Sequence, residues 1–107
     1  MKNSFNVTLN KQIIYTYTDK PAPARLRRYL EEMDNDMSQG IQLGELFVKQ
    51  PDEFQRLQYV AMKLFNALDV NDLNQAEVMS AYLLKRKSQL NEVCIHLAGD
   101  LINLKLI

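Results

Sequence analysis

Polar and apolar residues alternate strictly near the start of the chain, with Phe5, Val7 and Leu9 apolar and Asn6 and Thr8 polar. A period of two puts the apolar set on one face of a half-buried strand. Asn10 and Lys11 interrupt the pattern, and a β-branched and aromatic run from Gln12 to Thr18 follows. The two runs predict a β-hairpin, although Asn-Lys is weaker turn chemistry than Asn-Gly.

Pro21 and Pro23 end that hairpin. Proline suits the first turn of a helix, where its missing N–H would have no partner anyway. Leu26, Tyr29, Leu30, Met33 and Met37 then recur every three or four residues, one apolar face of a helix over about 23–38. Gly40 is the expected terminator. Residues 41–49 are ambiguous: Ile41 and Leu43 alternate with Gln42, Gly44 breaks the run, and Leu46-Phe-Val48 is short. A second helix is clearer, with Pro51 expected in its first turn and Asp52 and Glu53 matching the positive end of its dipole. Its broad stripe includes Phe54, Leu57, Val60, Ala61, Leu64 and Leu68. Asn71 or Asn74 is the expected cap of a third helix, whose buried face holds Leu73, Ala76, Met79, Ser80, Leu83 and Leu84. The cations Lys85, Arg86 and Lys87 suit its negative C-terminal end.

The tail from Glu92 to Ile107 reads two ways. As strands, Val93, Ile95 and Leu97 alternate, Gly99-Asp100 turns, and Ile102, Leu104 and Leu106 alternate again. As a helix it carries Gly99 in its middle, at a cost of about 1 kcal/mol against alanine. The hairpin is preferred. The order ββ-ααα-ββ predicts an α+β fold: an N-terminal β-hairpin, about three helices and a C-terminal β-hairpin, with the helices on one face of an antiparallel sheet. No repeat or low-complexity linker interrupts the 107 residues, so residues 1–107 are read as one small domain.

Composition narrows the functional classes. Apolar residues make up 47% and charged residues 24%, the ordinary globular mixture. Thirteen basic residues balance thirteen acidic ones, so the broad positive field typical of nucleic-acid binders is missing. Zero net charge also weakens repulsion between copies and favours self-association. The single cysteine, Cys94, excludes an intramolecular disulfide, and its apolar neighbours suggest a small buried residue. No apolar run approaches the roughly 18 residues of a membrane span, nor does the N-terminus resemble a signal peptide. A cytoplasmic location is the expectation.

Several constellations have the spacing of chemistry. Asp34, Asp36, Ser38 and Glu45 fall at the first, third, fifth and twelfth positions of an EF-hand-like calcium loop, with Ile41 at the eighth. The sixth position, where the sharp turn needs glycine, is Gln39. Calcium binding is therefore set below a charged helix end with a glycine cap. Cys94 and His96 share one face of a strand, about 6.5–7 Å apart at the backbone, too far for a preset nucleophile–base pair. Glu31-Glu32 and Asp34-Asp36 lie on the polar side of an amphipathic helix. No catalytic or phosphate-binding motif occurs, so the expectation is a non-enzymatic protein without a cofactor.

The basic clusters Arg25, Arg27, Arg28 and Lys85, Arg86, Lys87 keep a nucleic-acid-binding regulator as an alternative, disfavoured by the neutral balance. The first reading is a protein-interaction or regulatory module that meets a protein partner or a second copy. Five methionines and five tyrosines supply adaptable contact area. Tyr15 and Tyr17 share a strand face opposite Ile14. If Ile14 faces the helices, the two tyrosines form an outer, partner-binding sheet surface. Terminal hairpins also leave open strand edges, which can pair with another chain.

Overall fold

The computed structural model describes residues 3–21 and 23–107. Two hairpins flank the helices: β1 (Ser4–Leu9) with β2 (Gln12–Thr18), and β5 (Glu92–Ala98) with β6 (Leu101–Leu106). Between them lie α1 (Ala24–Met37), a small hairpin of β3 (Ile41–Leu43) and β4 (Leu46–Val48), α2 (Glu53–Asp69) and α3 (Leu73–Arg86). The α+β arrangement expected from the patterning is the one observed, with the ambiguous 41–49 segment forming β3 and β4 around Gly44.

The hairpins merge into one sheet of order β2-β1-β5-β6. Each hairpin is antiparallel, but β1 and β5 run parallel, with Val7 beside Val93 and Leu9 beside Ile95. The sheet is therefore mixed, which corrects the antiparallel expectation. The reason is the long helical crossover, which returns the chain to the end of the sheet where it began, so β5 enters alongside β1 in the same direction.

One sheet face carries the core: Phe5, Val7, Tyr17, Val93 and Ile95 are buried under α2 and α3. From the helices come Leu57, Val60, Ala61 and Leu64 of α2 and Ala76, Met79, Tyr82 and Leu83 of α3. The opposite face is mostly polar, with Thr16, His96 and Lys105 exposed beside the aliphatic Ile13 and Leu101. In α1 only Leu30 and Met37 are buried, and Tyr29 of its predicted stripe is exposed.

Local chemistry explains the boundaries. Asn10 and Lys11 both adopt positive φ (48° and 72°), as the tightest two-residue hairpin turn requires. Pro51 lies just outside α2 rather than in its first turn, because Asp52 takes the cap. The Asp52 carboxylate accepts from Gln55 N–H at 2.7 Å, and the Gln55 side chain accepts from Asp52 N–H at 2.9 Å. The cap of α3 is Asp72, which accepts from Gln75 N–H at 3.1 Å, rather than Asn71 or Asn74. Asn71 instead takes the left-handed turn between the helices, with φ 59°.

Candidate functional site

The strongest polar cluster joins the three helices around Asp34. From α3, the Tyr82 hydroxyl donates to Asp34 Oδ1 at 2.6 Å, and Arg86 donates to Oδ2. From α2, Arg56 Nη1 donates to the Asp34 carbonyl oxygen at 2.9 Å and approaches Oδ1 at 3.3 Å. Arg56 Nη2 also reaches the Ser38 hydroxyl at 3.1 Å. Burial, reinforced by the Asp34 carboxylate, pushes the Tyr82 phenol up to about 12. The carboxylate is thus occupied by two guanidinium groups and a phenol, and its role here is to hold α1 onto α2 and α3.

That cluster bears on the calcium reading. Asp34 and Asp36 lie in the last turns of α1, Ser38 is its C-cap, and Glu45 sits in the turn between β3 and β4. The twelve-residue span is therefore helix end, glycine bend and hairpin, not one ligand loop. Among the described residues, no group of three or more His, Cys, Asp or Glu side chains gathers as a metal site would require. Asp34 is the member that the sequence flagged for the wrong reason: its partners lie 22, 48 and 52 positions away, beyond any motif.

Tyr15 and Tyr17 face inward, which corrects their expected placement on an outer surface. Tyr17 is 5% exposed and packs its ring 5.8 Å from that of Phe5. The pairing explains it. Tyr17 stands opposite Phe5 and Tyr15 opposite Val7, so both inherit the core face of β1. A register shift beside Val7 and Thr8 leaves Ile14 as the extra residue, and it is Ile14 that is partly exposed.

Cys94 is half-buried on the outer face rather than in the core. Its thiol donates to Glu92 Oε2 at 2.6 Å, and the Thr8 hydroxyl donates to the same oxygen at 2.9 Å. Those two donors hold the Glu92 carboxyl below its usual range, while burial and Glu92 push the Cys94 thiol up, away from the thiolate form. His96 is exposed on the same face. The basic residues Arg25, Arg27 and Arg28 start α1, and Lys85 and Arg86 end α3. A shallow depression lined by Leu26, Leu30, Leu84 and Lys85 shows that these two helix ends adjoin. Arg86 is tied to Asp34.

The surface most out of keeping with its sequence is β6. Leu101, Ile102, Leu104 and Leu106 make it an aliphatic strand, yet none of its residues is buried. Leu101 is 75% exposed, Ile102 47% and the adjoining Ile107 50%. β5 on one side and part of α2 cover it, leaving Leu104 and Leu106 half-buried against the core. The pairing with β5 is regular from Val93–Leu106 to Ala98–Leu101, with no bulge. Ile107 and Glu92 exchange both backbone hydrogen bonds, at 2.9 and 3.1 Å. Because bonded and unbonded pairs alternate along an antiparallel ladder, Ile102, Leu104 and Leu106 turn their N–H and C=O groups away from β5. The open edge is thus apolar and, among the described residues, unpaired, the condition in which edge strands recruit other strands. The other edge differs: β2 is broken by the shift at Ile14 and already buries Tyr17. The alternation in 101–107 is visible in the sequence, but the thinness of its cover is not.

Compared with known proteins, the chain matches no family model, no curated protein and no solved structure. No helix among the described residues is long and apolar enough to cross a membrane.

Proposed function

We propose that this chain is a small, non-enzymatic protein-interaction module of the cytoplasm, and that its contact surface is the open edge of β6. Its mechanism is strand addition: a partner strand satisfies the outward backbone groups of Ile102, Leu104 and Leu106 and covers their side chains. The observation that carries this reading is an aliphatic strand with no buried residue, at an edge without bulge or proline. The polar clusters support it indirectly, since Asp34 and Glu92 engage their carboxylates in hydrogen bonds within the chain.

The test compares wild-type protein with Ile102→Lys as immobilised bait in extract of the source cell. The reading expects a protein retained near one-to-one on the wild type, the chain's own copies included, and lost from the variant. Equal retention by the two baits, or none by either, rejects β6 as the contact surface.

A further inference from the structure

We infer that the strand which completes β6 is β6 of a second copy of this chain, joined antiparallel about a two-fold axis at Leu104. This inference rests on the interaction reading above and names its partner. A two-fold axis perpendicular to a sheet brings a strand against itself in reverse, so each residue meets its mirror position in the sequence. Only the outward residues Ile102, Leu104 and Leu106 can form the bonded pairs, and an axis at Asn103 or Lys105 would pass through an unbonded pair and bond only two of the three. Centring on Leu104 uses all three. Leu104 bonds Leu104 of the other copy, Ile102 bonds its Leu106, and Leu106 bonds its Ile102.

In that register chemistry matches at every position. Ile102, Leu104 and Leu106 share the helix-covered face and merge with their counterparts into one aliphatic stripe. On the other face Leu101 stands opposite Ile107, the two most exposed aliphatic residues of the segment. Lys105, the one charged residue of β6, stands opposite Asn103 and not opposite another lysine. The strand is therefore complementary to itself, apolar to apolar and polar to polar. A chain with thirteen charges of each sign opposes its own approach only weakly. Two four-stranded sheets would become one of eight strands, with both exposed β6 edges removed. A strand of this length supplies fewer residues than the roughly 20–30 per side of a standard interface. The dimer is accordingly expected to be weak, with a dissociation constant on the order of micromolar.

The test is sedimentation velocity of the purified chain from about 1 μM to 1 mM, paired with amide hydrogen exchange at both ends of that range. Dimer formation should rise with concentration and slow exchange at Ile102, Leu104 and Leu106. The amides of Asn103 and Lys105, which already bond β5, should be protected at both concentrations. Ile102→Lys should abolish dimers while keeping the far-ultraviolet circular dichroism of the wild type. If that variant loses its fold, Leu101→Asp at the more exposed position serves instead. A chain that stays monomeric at the highest concentration overturns the second-copy inference but leaves the bait experiment to judge a partner of another sequence. A dimer whose new protection falls on β2 or the helices overturns the assignment to β6.

Discussion

Replacing Asp34 by alanine should cost about 2–4 kcal/mol, because three partners converge on one carboxylate. Most of that comes from Tyr82. The residue is 2% exposed, and its hydroxyl bond to Asp34 is 2.6 Å long. A hydrogen bond to a charged acceptor contributes about 1.5–3 kcal/mol, and the variant leaves the buried hydroxyl without that acceptor, with only the neighbouring Arg86 beside it. Arg56 and Arg86 add less. Their side chains are 22% and 37% exposed, so solvent screens each pair to roughly 0.2–1 kcal/mol. Arg56 also keeps its 2.9 Å bond to the backbone carbonyl of residue 34, which the substitution does not remove. A domain of this size has about 5–15 kcal/mol of stability in all, so the variant should fold but melt early. Urea unfolding followed by circular dichroism should show a midpoint lower by about 1–3 M, taking the usual denaturant dependence of a small domain. Tyr82→Phe and the double variant complete a cycle, with an expected coupling of about 1–2 kcal/mol. A loss below about 0.5 kcal/mol, or a coupling indistinguishable from zero, would refute the view that Asp34 ties the helices together.

Three further outcomes follow from single positions. Tyr82 binds its proton more tightly in the folded chain than in the unfolded one, so its contribution is complete below about pH 10 and is lost as pH rises toward about 12. Alkaline melts should fall across that window by an amount on the order of 1–2 kcal/mol, and Tyr82→Phe should flatten the fall; an equal fall in the variant assigns it elsewhere. Lys11 holds a left-handed φ of 72°, so Lys11→Gly should raise stability by about 0.5–1 kcal/mol, the steric relief less the added chain entropy; a lower melting temperature contradicts the turn geometry. Ser80 is fully buried, and among the described residues its hydroxyl meets no partner at full hydrogen-bond geometry, although the Tyr15 phenol lies close by. Ser80→Ala should therefore be neutral or stabilising by about 1 kcal/mol in the same urea assay, whereas a clear loss would show that the hydroxyl bonds the Tyr15 phenol.

The limits of the sequence are visible at single residues. The β2 phase turned on pairing: Ile14 and Tyr15 are both plausible core residues in isolation, and only opposition to Phe5 and Val7 selects the tyrosines. The caps were closer to hand, since Asp52 with Gln55 three residues on is a capping box written in the sequence. Asp34 was conspicuous for its acidic neighbours, yet its real partners come from two other helices. No local spacing encodes such a meeting.

What the sequence determined by itself is the inventory of elements. Alternation in 5–9, 93–97 and 102–106, the three-and-four spacing of the helices, and the glycines and prolines between them depend only on which side chains share a face. Local periodicity carries that information because a strand or helix repeats within a few residues. Tertiary structure decided the parallel β1–β5 joint, the inward turn of Tyr15 and Tyr17, the helix-binding role of Asp34 and the open edge of β6. Each of these depends on what lies across a gap of tens of residues. Burial is a property of the neighbours, so an aliphatic strand looks the same in sequence whether neighbours cover it fully or only in part.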